Sequence, residues 1–271
     1  MQVMWDGADD PTPDATLQLL DGPHVVMAGS RRVAVPEGSK RLVAYVALRR
    51  RSVDRRNAAA DIWPQVDQHR AAGNLRSAMW RLRSAGIDII DAGKRDLALD
   101  PRVRVDLDGV AAWADRVVAA RPRPGDLVLL PLALRALDLL PGWYDDWVLD
   151  ERQRMRDVLL DAFDALAALL VAARRCGDAV DAALAAVAVD PLRETAQRTL
   201  IEAHLAEGNR CEALRSYLTY EDLLARELGV GPSVELTRML RFSEPRAVAP
   251  QRSATIAKPR RVRDERLRSS C

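Results

Sequence analysis

The stretch DQHRAAGNLRSAMWRLRSAG, from Asp67 to Gly86, decides the fold, because the neighbouring segments can be placed once it is read as a helix. Asp67 can accept hydrogen bonds from the free amides of a first helical turn. Gly86 can end the helix in the left-handed conformation. Apolar residues recur every three or four positions and form one stripe: Ala71, Leu75, Met79 and Leu82. The pattern predicts an amphipathic helix.

The opposite face of this helix is rich in arginine. It carries Arg70, Gly73, Ser77, Trp80 and Ser84, flanked by Arg76, Arg81 and Arg83, and no acid follows the cap. A guanidinium can donate two bonds to O6 and N7 of guanine and can also neutralise phosphate. This arginine-rich face therefore favours the interpretation that the helix inserts into a DNA major groove. An ordinary solvated basic face is the alternative that this helix alone leaves open.

Charge is segregated along the chain, although the total is only +2. Residues 1–30 have a net charge of −5, residues 31–104 of +9, residues 105–243 of −7 and residues 244–271 of +5. The basic segment contains the arginine helix, which indicates a polyanion as its partner. The acidic segment is then available for protein contacts.

The segments before the arginine helix predict a small sheet and two helices. Alternation and turn residues predict three antiparallel strands at Leu17–Leu20, His24–Ala28 and Arg32–Val35. A helix follows Pro36, with Ser39 as its cap and Arg41–Leu48 as its body. A second, short helix begins after Asp54 and stops at Pro64.

The segments after the arginine helix predict a hairpin. Ile87–Ile90 and Arg95–Asp100 flank the turn Asp91–Lys94, and Val103–Leu107 could add a strand. Sheet, three helices and hairpin make a winged helix-turn-helix over residues 17–107, in which the third helix enters the major groove. Lys94 and Arg95 would lie at the wing tip, where they could meet phosphate or the minor groove.

Residues 108–243 predict an all-α domain. Helices are expected at 108–120, 128–139, 150–175, 179–189, 192–206, 210–228 and 234–242. The sequence CGDAVDAALAAVAVDP (Cys176–Pro191) is echoed by EGNRCEALRSYLTYED (Glu207–Asp222), which is typical of tetratricopeptide-like helix pairs. A plain helical bundle is the alternative. The fold class is thus mainly α, with an α+β winged helix-turn-helix before a tetratricopeptide-like domain, and residues 1–16 and 244–271 are predicted to be disordered.

Several classes of function are disfavoured by the composition. The three cysteines are scattered and the three histidines isolated, so neither a metal site nor a catalytic constellation is indicated. The sequence has no apolar run of membrane-spanning length and no signal-peptide pattern, which fits a cytoplasmic, nucleoid-associated protein. It also lacks a glycine-rich phosphate loop ending in Lys-Ser or Lys-Thr, so we expect no ATPase and no cofactor.

Two motifs resemble the Streptomyces antibiotic regulatory protein (SARP) family. LRSAMWRLR, after DIWP, is similar to that family's recognition helix. GWYDDWVLDERQRMRD and DPLRETAQRTLIEAHLAEGNRCEALRSYLTYEDLLARELGVGPSVEL are similar to the bacterial transcriptional activator domain, a tetratricopeptide-like module. The resemblance extends from about Leu17 to Leu240. Members of this size carry only the winged helix and the activator domain.

The resemblance implies a transcriptional activator, usually of secondary-metabolite genes. Such a protein binds direct repeats in double-stranded DNA near a promoter and contacts RNA polymerase holoenzyme; whether this chain pairs only on DNA or as a stable dimer stays open.

Mapping the winged-helix pattern onto this chain gives major-groove contacts from Arg76, Ser77, Trp80, Arg81 and Arg83, with Arg70 on the same face. Trp80 departs from a base-reading pattern, since an indole cannot make a bidentate base contact and would pack on a thymine methyl or a sugar. Lys40, Arg55 and Arg56 are the expected phosphate contacts of the first two helices.

Two other hypotheses use the same residues differently. A helical protein-interaction scaffold with a non-specific polyanion-binding domain would need the helical array but no base recognition. An enzyme would need a nucleophile, metal cluster or phosphate loop, none of which the sequence offers. The net charge of +9 on the segment that contains the arginine helix favours the DNA-binding hypothesis over both.

Overall fold

A computed structural model describes residues 15–20, 22–27 and 31–242 of the chain. The tail predicted at 244–271 and almost all of the disordered segment predicted at 1–16 lie outside these residues. The elements in chain order are β1 (Ala15–Gln18), β2 (His24–Met27), β3 (Arg31–Ala34), α1 (Glu37–Arg49), β4 (Val53–Asp54), α2 (Arg55–Ile62), α3 (Gln68–Ser84), β5 (Ile90–Ala92), β6 (Asp96–Leu99), β7 (Val103–Val105), α4 (Asp106–Val118), α5 (Pro131–Ala136), α6 (Asp146–Ala172), α7 (Cys176–Val189), α8 (Glu194–Glu207), α9 (Arg210–Leu228) and α10 (Val234–Phe242). The predicted fold class is confirmed: an α+β winged helix-turn-helix precedes an all-α, tetratricopeptide-like domain.

The N-terminal sheet has the order β3-β2-β1-β7. Its first three strands are antiparallel, as predicted, although β1 begins at Ala15 rather than at Leu17. The fourth strand, β7, runs parallel to β1, with Ala15 opposite Val103 and Leu17 opposite Val105. The strand predicted near Val103 therefore completes the first sheet and does not extend the hairpin.

The wing is a second sheet of order β4-β6-β5. The predicted hairpin exists, but β5 starts at Ile90, and Ile87 and Ile89 are buried in the irregular chain before it. The two-residue strand β4 was missed by the sequence analysis. It joins the start of α2 to the wing through pairing of Val53 with Leu97.

Helix α1 begins earlier than predicted and without a side-chain cap. Its N-cap residue is Pro36, and Ser39 lies inside the first turn. Ser39 is completely buried, and its hydroxyl donates to the carbonyl oxygen of Ala78 at 2.8 Å. The prediction that Ser39 caps α1 is therefore wrong, because this hydroxyl is used to bind α1 to α3.

Four long helices form the core of the C-terminal domain. Helix α6 packs on α7, α7 on α8 and α8 on α9, and α4 and α5 also pack on α6. The small residues of the internal echo, Ala182, Ala183 and Ala213, are completely buried where the helices approach one another. The bounds of α9 and α10 are as predicted. Helix α5 is shorter, because Pro131 occupies its first turn and it ends at Ala136.

No linker separates the two domains, since β7 ends at Val105 and α4 begins at Asp106. The Asp106 carboxylate accepts hydrogen bonds from the backbone amides of Leu19 and Leu20 at 3.0 and 3.2 Å. Burial raises the pKa of Asp106. One continuous cluster of buried apolar residues runs from the first sheet through α1 and α3 to α8. The boundary predicted after residue 107 therefore lies within a shared core.

An ion pair folds the segment between α4 and α5 back onto α4. Asp126 accepts from Nε and Nη2 of Arg116 at 2.7 and 2.8 Å, and its backbone carbonyl accepts from the Trp113 indole at 2.9 Å. The hydrogen bonds from Arg116 lower the pKa of Asp126.

We expect Asp126→Asn to lower the free energy of unfolding by about 2–3 kcal/mol, because it leaves the Arg116 guanidinium half-paired in a largely buried site. Since the pKa of Asp126 is depressed in the folded protein, the pair stabilises the fold above the ordinary aspartate range and loses its effect as the pH falls through the folded-state value. Urea unfolding at several pH values measures both effects. If the free energies of unfolding of the wild type and the variant still differ by the same amount at acidic pH, this assignment is contradicted.

Candidate nucleic-acid interface

Helix α3 is oriented by its caps and its buried face. The Asp67 carboxylate accepts from the amide of Arg70 at 2.9 Å, and Gly86 has a φ of +72°, as the sequence predicted. The residues buried against the rest of the domain are Ala71, Leu75, Ala78, Met79 and Leu82. The bond from Ser39 to Ala78 fixes the helix further. The opposite face consequently projects into solvent.

The solvent face of α3 carries the predicted contact residues together. Arg76, Ser77, Trp80, Arg81 and Arg83 are all exposed. Trp80 has 69% of its surface exposed, although large aromatic side chains are usually buried. Within the described part of the chain, Arg76, Arg81 and Arg83 have no ion-pair partner, whereas Arg70 lies 3.5 Å from its own cap, Asp67. A helix face of unpaired guanidinium groups can donate to phosphates and to base edges.

Arg81 is supported by a glycine of α1. A Cβ atom placed on Gly38 would lie 2.8 Å from Nη1 of Arg81, so the guanidinium rests directly against the α1 backbone. The sequence analysis gave Gly38 no role. The only available signal was a glycine in the first turn of a helix, a pattern too common to be informative.

The wing is joined to the start of α2 by Arg55. The backbone amide of Arg55 donates to the carbonyl of Arg95 at 2.8 Å, and its Nη1 donates to the carbonyl of Gly93 at 3.1 Å. Arg55 was predicted as a phosphate contact, but the structure shows its half-buried side chain holding the wing turn. Lys94 and Arg95, the predicted wing-tip residues, are exposed on that turn.

The remaining predicted phosphate contacts are held by polar neighbours. The Lys40 ammonium lies 2.6 Å from the Glu37 carboxylate. The amide oxygen of Gln68, the first residue of α3, faces the Arg56 guanidinium. It accepts from Nη2 and Nε of Arg56 at 2.8 and 2.9 Å. Arg56 therefore lies at the start of α3, and Lys40 lies at the start of α1.

Arg51 ends a cluster of three consecutive arginines, Arg49–Arg51, and was not among the predicted contact residues. Arg49 and Arg50 of that cluster pair with Asp61 at 3.5 Å and Asp108 at 3.3 Å. Arg51 is exposed, and the adjacent Ser52 donates to Asp96 of the wing at 2.8 Å. Arg51 thus lies next to the wing and adds to its positive charge.

The domain C-terminal to this surface identifies the family. Residues 103–241 match the bacterial transcriptional activator domain. This protein belongs to the SARP family. Its members are transcriptional regulators and not enzymes, as the sequence predicted, and they combine a winged helix-turn-helix with the activator domain.

Two relatives extend this comparison. Regulatory protein AfsR of Streptomyces griseus is 28% identical over 86% of this chain, which covers 25% of that protein's length. The structure of Mycobacterium tuberculosis EmbR, solved in complex with a low-affinity phosphopeptide, matches with a TM-score of 0.59 and 21% identity over 86% of this chain and 66% of EmbR. The second match shows a shared fold. The chain spans about a quarter of the length of AfsR and 66% of the EmbR chain.

Among residues 15–20, 22–27 and 31–242, no helix is long and apolar enough to cross a membrane, and no cluster of three potential ligands could hold a metal ion.

We expect Gly38→Ala to weaken duplex binding while leaving thermal stability unchanged or slightly higher. The added methyl group would displace the flexible end of Arg81, and alanine suits a helix better than glycine by up to about 1 kcal/mol. Fluorescence anisotropy with a labelled duplex and a thermal melt measure the two effects. Gly177→Ala is the matched control, since Gly177 is likewise the second residue of its helix and a Cβ atom there would meet nothing within 4 Å. Equal losses of affinity in both variants would show that Arg81 is not the cause.

Proposed function

We propose that this regulator binds double-stranded DNA at direct repeats near promoters and activates transcription by contacting RNA polymerase holoenzyme. Helix α3 would enter the major groove, and the wing would follow the adjacent backbone. The observation that carries this proposal is the solvent face of α3, where unpaired guanidinium groups flank an exposed tryptophan. Secondary-metabolite genes are the proposed targets, on the resemblance to the SARP family.

The arrangement supports a division of labour between base recognition and phosphate binding. Arg76 and Arg81 lie on the helix face that would point into the groove and have the freedom to form bidentate contacts with guanine. Lys94 and Arg95 lie on a turn fixed by Arg55, a position suited to phosphates. Trp80 would pack on a thymine methyl group or a sugar.

A binding selection from random duplexes at about 0.15 M salt tests the DNA-binding proposal, because non-specific attraction to phosphate is damped there. The expected result is a motif repeated in direct orientation at about 10–11 bp. Recovery of no motif, with only weak and salt-sensitive binding, would instead support a helical interaction scaffold with a polyanion-binding patch.

Arg81→Ala and Lys94→Ala should separate the two types of contact. The first should cost about 1–3 kcal/mol of affinity and relax the preference at one base position. The second should weaken all duplexes alike and reduce the slope of log K against log salt by about one. Titrations of the selected and a scrambled duplex across salt concentrations measure both. A similar loss of base preference in both variants would contradict the assigned roles.

The helical domain offers a surface for the polymerase. Leu214 and Leu218 lie one turn apart on α9 and are 51% and 52% exposed, and Leu184 of α7 is also exposed. Exposed apolar groups in a segment of net charge −7 suit a basic, amphipathic partner surface. A deletion after residue 107 would not test this surface, because it would remove Val110 and Trp113 from the shared core.

Leu214→Ser with Leu218→Ser should therefore abolish activation in a reconstituted transcription assay while leaving duplex affinity unchanged. Val118→Ser, at a similarly exposed position on α4, serves as the control and should keep full activation. If the double variant activates as well as the control, the α9 surface is not the polymerase contact.

A further inference from the structure

A cleft of about 1040 Å³ lies between the two domains. One wall is formed by the start of α1 and by the turn between α2 and α3, which includes Trp63. The other wall is the segment PGWYDDW, residues 141–147, called here the aromatic loop. The volume matches the upper range of small-molecule sites, which often lie between domains.

The aromatic loop is held in a fixed shape by one largely buried cation, Arg152. The Arg152 guanidinium donates to the carbonyl oxygens of Leu139 at 2.8 Å, Leu140 at 3.0 Å and Trp143 at 3.3 Å. Gly142 supplies the left-handed turn, with a φ of +80°. The loop wall of the cleft is therefore preformed, so a ligand would not have to pay for ordering it.

Aromatic side chains dominate this wall. The Trp143 and Trp147 rings pack edge to face at 6.3 Å. Tyr144 is 79% exposed at the mouth of the cleft. Trp147 is 92% buried by contrast, and its indole Nε1 has no hydrogen-bond partner among the described residues. The indole nitrogen is itself inaccessible to solvent, so Trp147 contributes its packing to the wall, and Trp143 and Tyr144 supply the ring surfaces that a ligand would contact.

The charges of the cleft favour a cation. Each of its three basic side chains already has an acidic partner: Lys40 pairs with Glu37, Arg41 with Asp145 at 3.4 Å, and Arg49 with Asp61. Two carboxylates of the lining, Asp146 and Asp150, have no ion-pair partner in the described part of the chain. Unpaired carboxylates beside aromatic rings repel phosphate and attract organic cations.

We propose that this cleft binds a planar organic cation. The cationic group would lie near Asp146 and Asp150, and the ring system would stack on Tyr144 and Trp143. The cleft wall includes Gly38, the residue that supports Arg81, so an occupant would lie beside a side chain proposed to read DNA. Binding itself is measured without DNA and does not depend on the proposed function.

A fluorescence titration of the full chain with proflavine, a planar cation, tests the proposal. Saturable binding is expected, with affinity at least about tenfold lower for neutral acridone and none measurable for the anion anilinonaphthalene sulfonate, since the site favours positive charge. Asp146→Asn with Asp150→Asn should weaken proflavine binding about tenfold, and Tyr144→Ala by a similar factor. All three residues are exposed or lie at the cleft mouth, so the variants should fold, and a thermal melt verifies this.

Asp181→Asn with Glu221→Gln is the matched control, because it removes the same charge from exposed positions on α7 and α9. The control should bind proflavine as the wild type does. Absence of saturable binding, equal weakening in the control, or tighter binding of the anion than of proflavine would each overturn the proposal.

Discussion

The structure depends on the burial of α1 on almost all sides. Seven consecutive residues, Leu42 to Leu48, are buried, although an ordinary surface helix buries only one stripe. Helices α2 and α3 and the wing cover part of this helix. The rest is covered by the activator domain, through the edge-to-face contact of Tyr45 with Trp147 at 5.3 Å and the Arg41–Asp145 ion pair. The winged helix therefore needs its neighbour to complete its core.

Tyr45 connects this packing to polar groups at the edge of the interface. Its hydroxyl donates to the Asp61 carboxylate at 2.6 Å, and the Arg49 guanidinium lies 4.8 Å from its ring centre. Burial and the hydrogen bond to Asp61 raise the pKa of Tyr45 to about 12, so the hydroxyl keeps its proton across the physiological range. Because α1 also holds α3 through Ser39, helix α3 and the activator domain have a fixed relative position. A rigid connection of this kind suits a protein that must place a second surface at a set distance from a promoter.

Local sequence patterns were sufficient for the elements and insufficient for their long-range partners. The ends of α3 were predictable because Asp67 and Gly86 act within a few residues of themselves, and α9 was bounded correctly by Asn209 and Gly229. The pairing of β7 with β1 joins residues far apart in sequence, and three-residue strands carry no signal of their partner. The same limit applies to Arg55: its sequence position indicates a cation near DNA, but only the folded wing brings the Gly93 carbonyl to it. Ser39 is the reverse case, because serine is typical of a helix cap but its hydroxyl here binds the carbonyl oxygen of Ala78 in another helix.

The ion pairs across and around α1 reduce the number of cations in the basic segment that are available to a partner. From the sequence alone, residues 31–104 have a net charge of +9, with no information on which side chains are paired or where they point. In the folded protein, Arg41 and Arg50 are paired with acids of the activator domain, and Arg49 with Asp61. Within the described residues, the cations of this segment without an ion-pair partner include three on α3 and two on the wing, with four others on β3, on α2 and just before β4: Arg76, Arg81, Arg83, Lys94, Arg95, Arg32, Arg55, Arg56 and Arg51. Cations that are already paired with acids release few counterions when a protein binds DNA. The salt dependence of binding should therefore reflect only the unpaired cations. By pairing the others, the acidic domain also directs the positive potential toward one face.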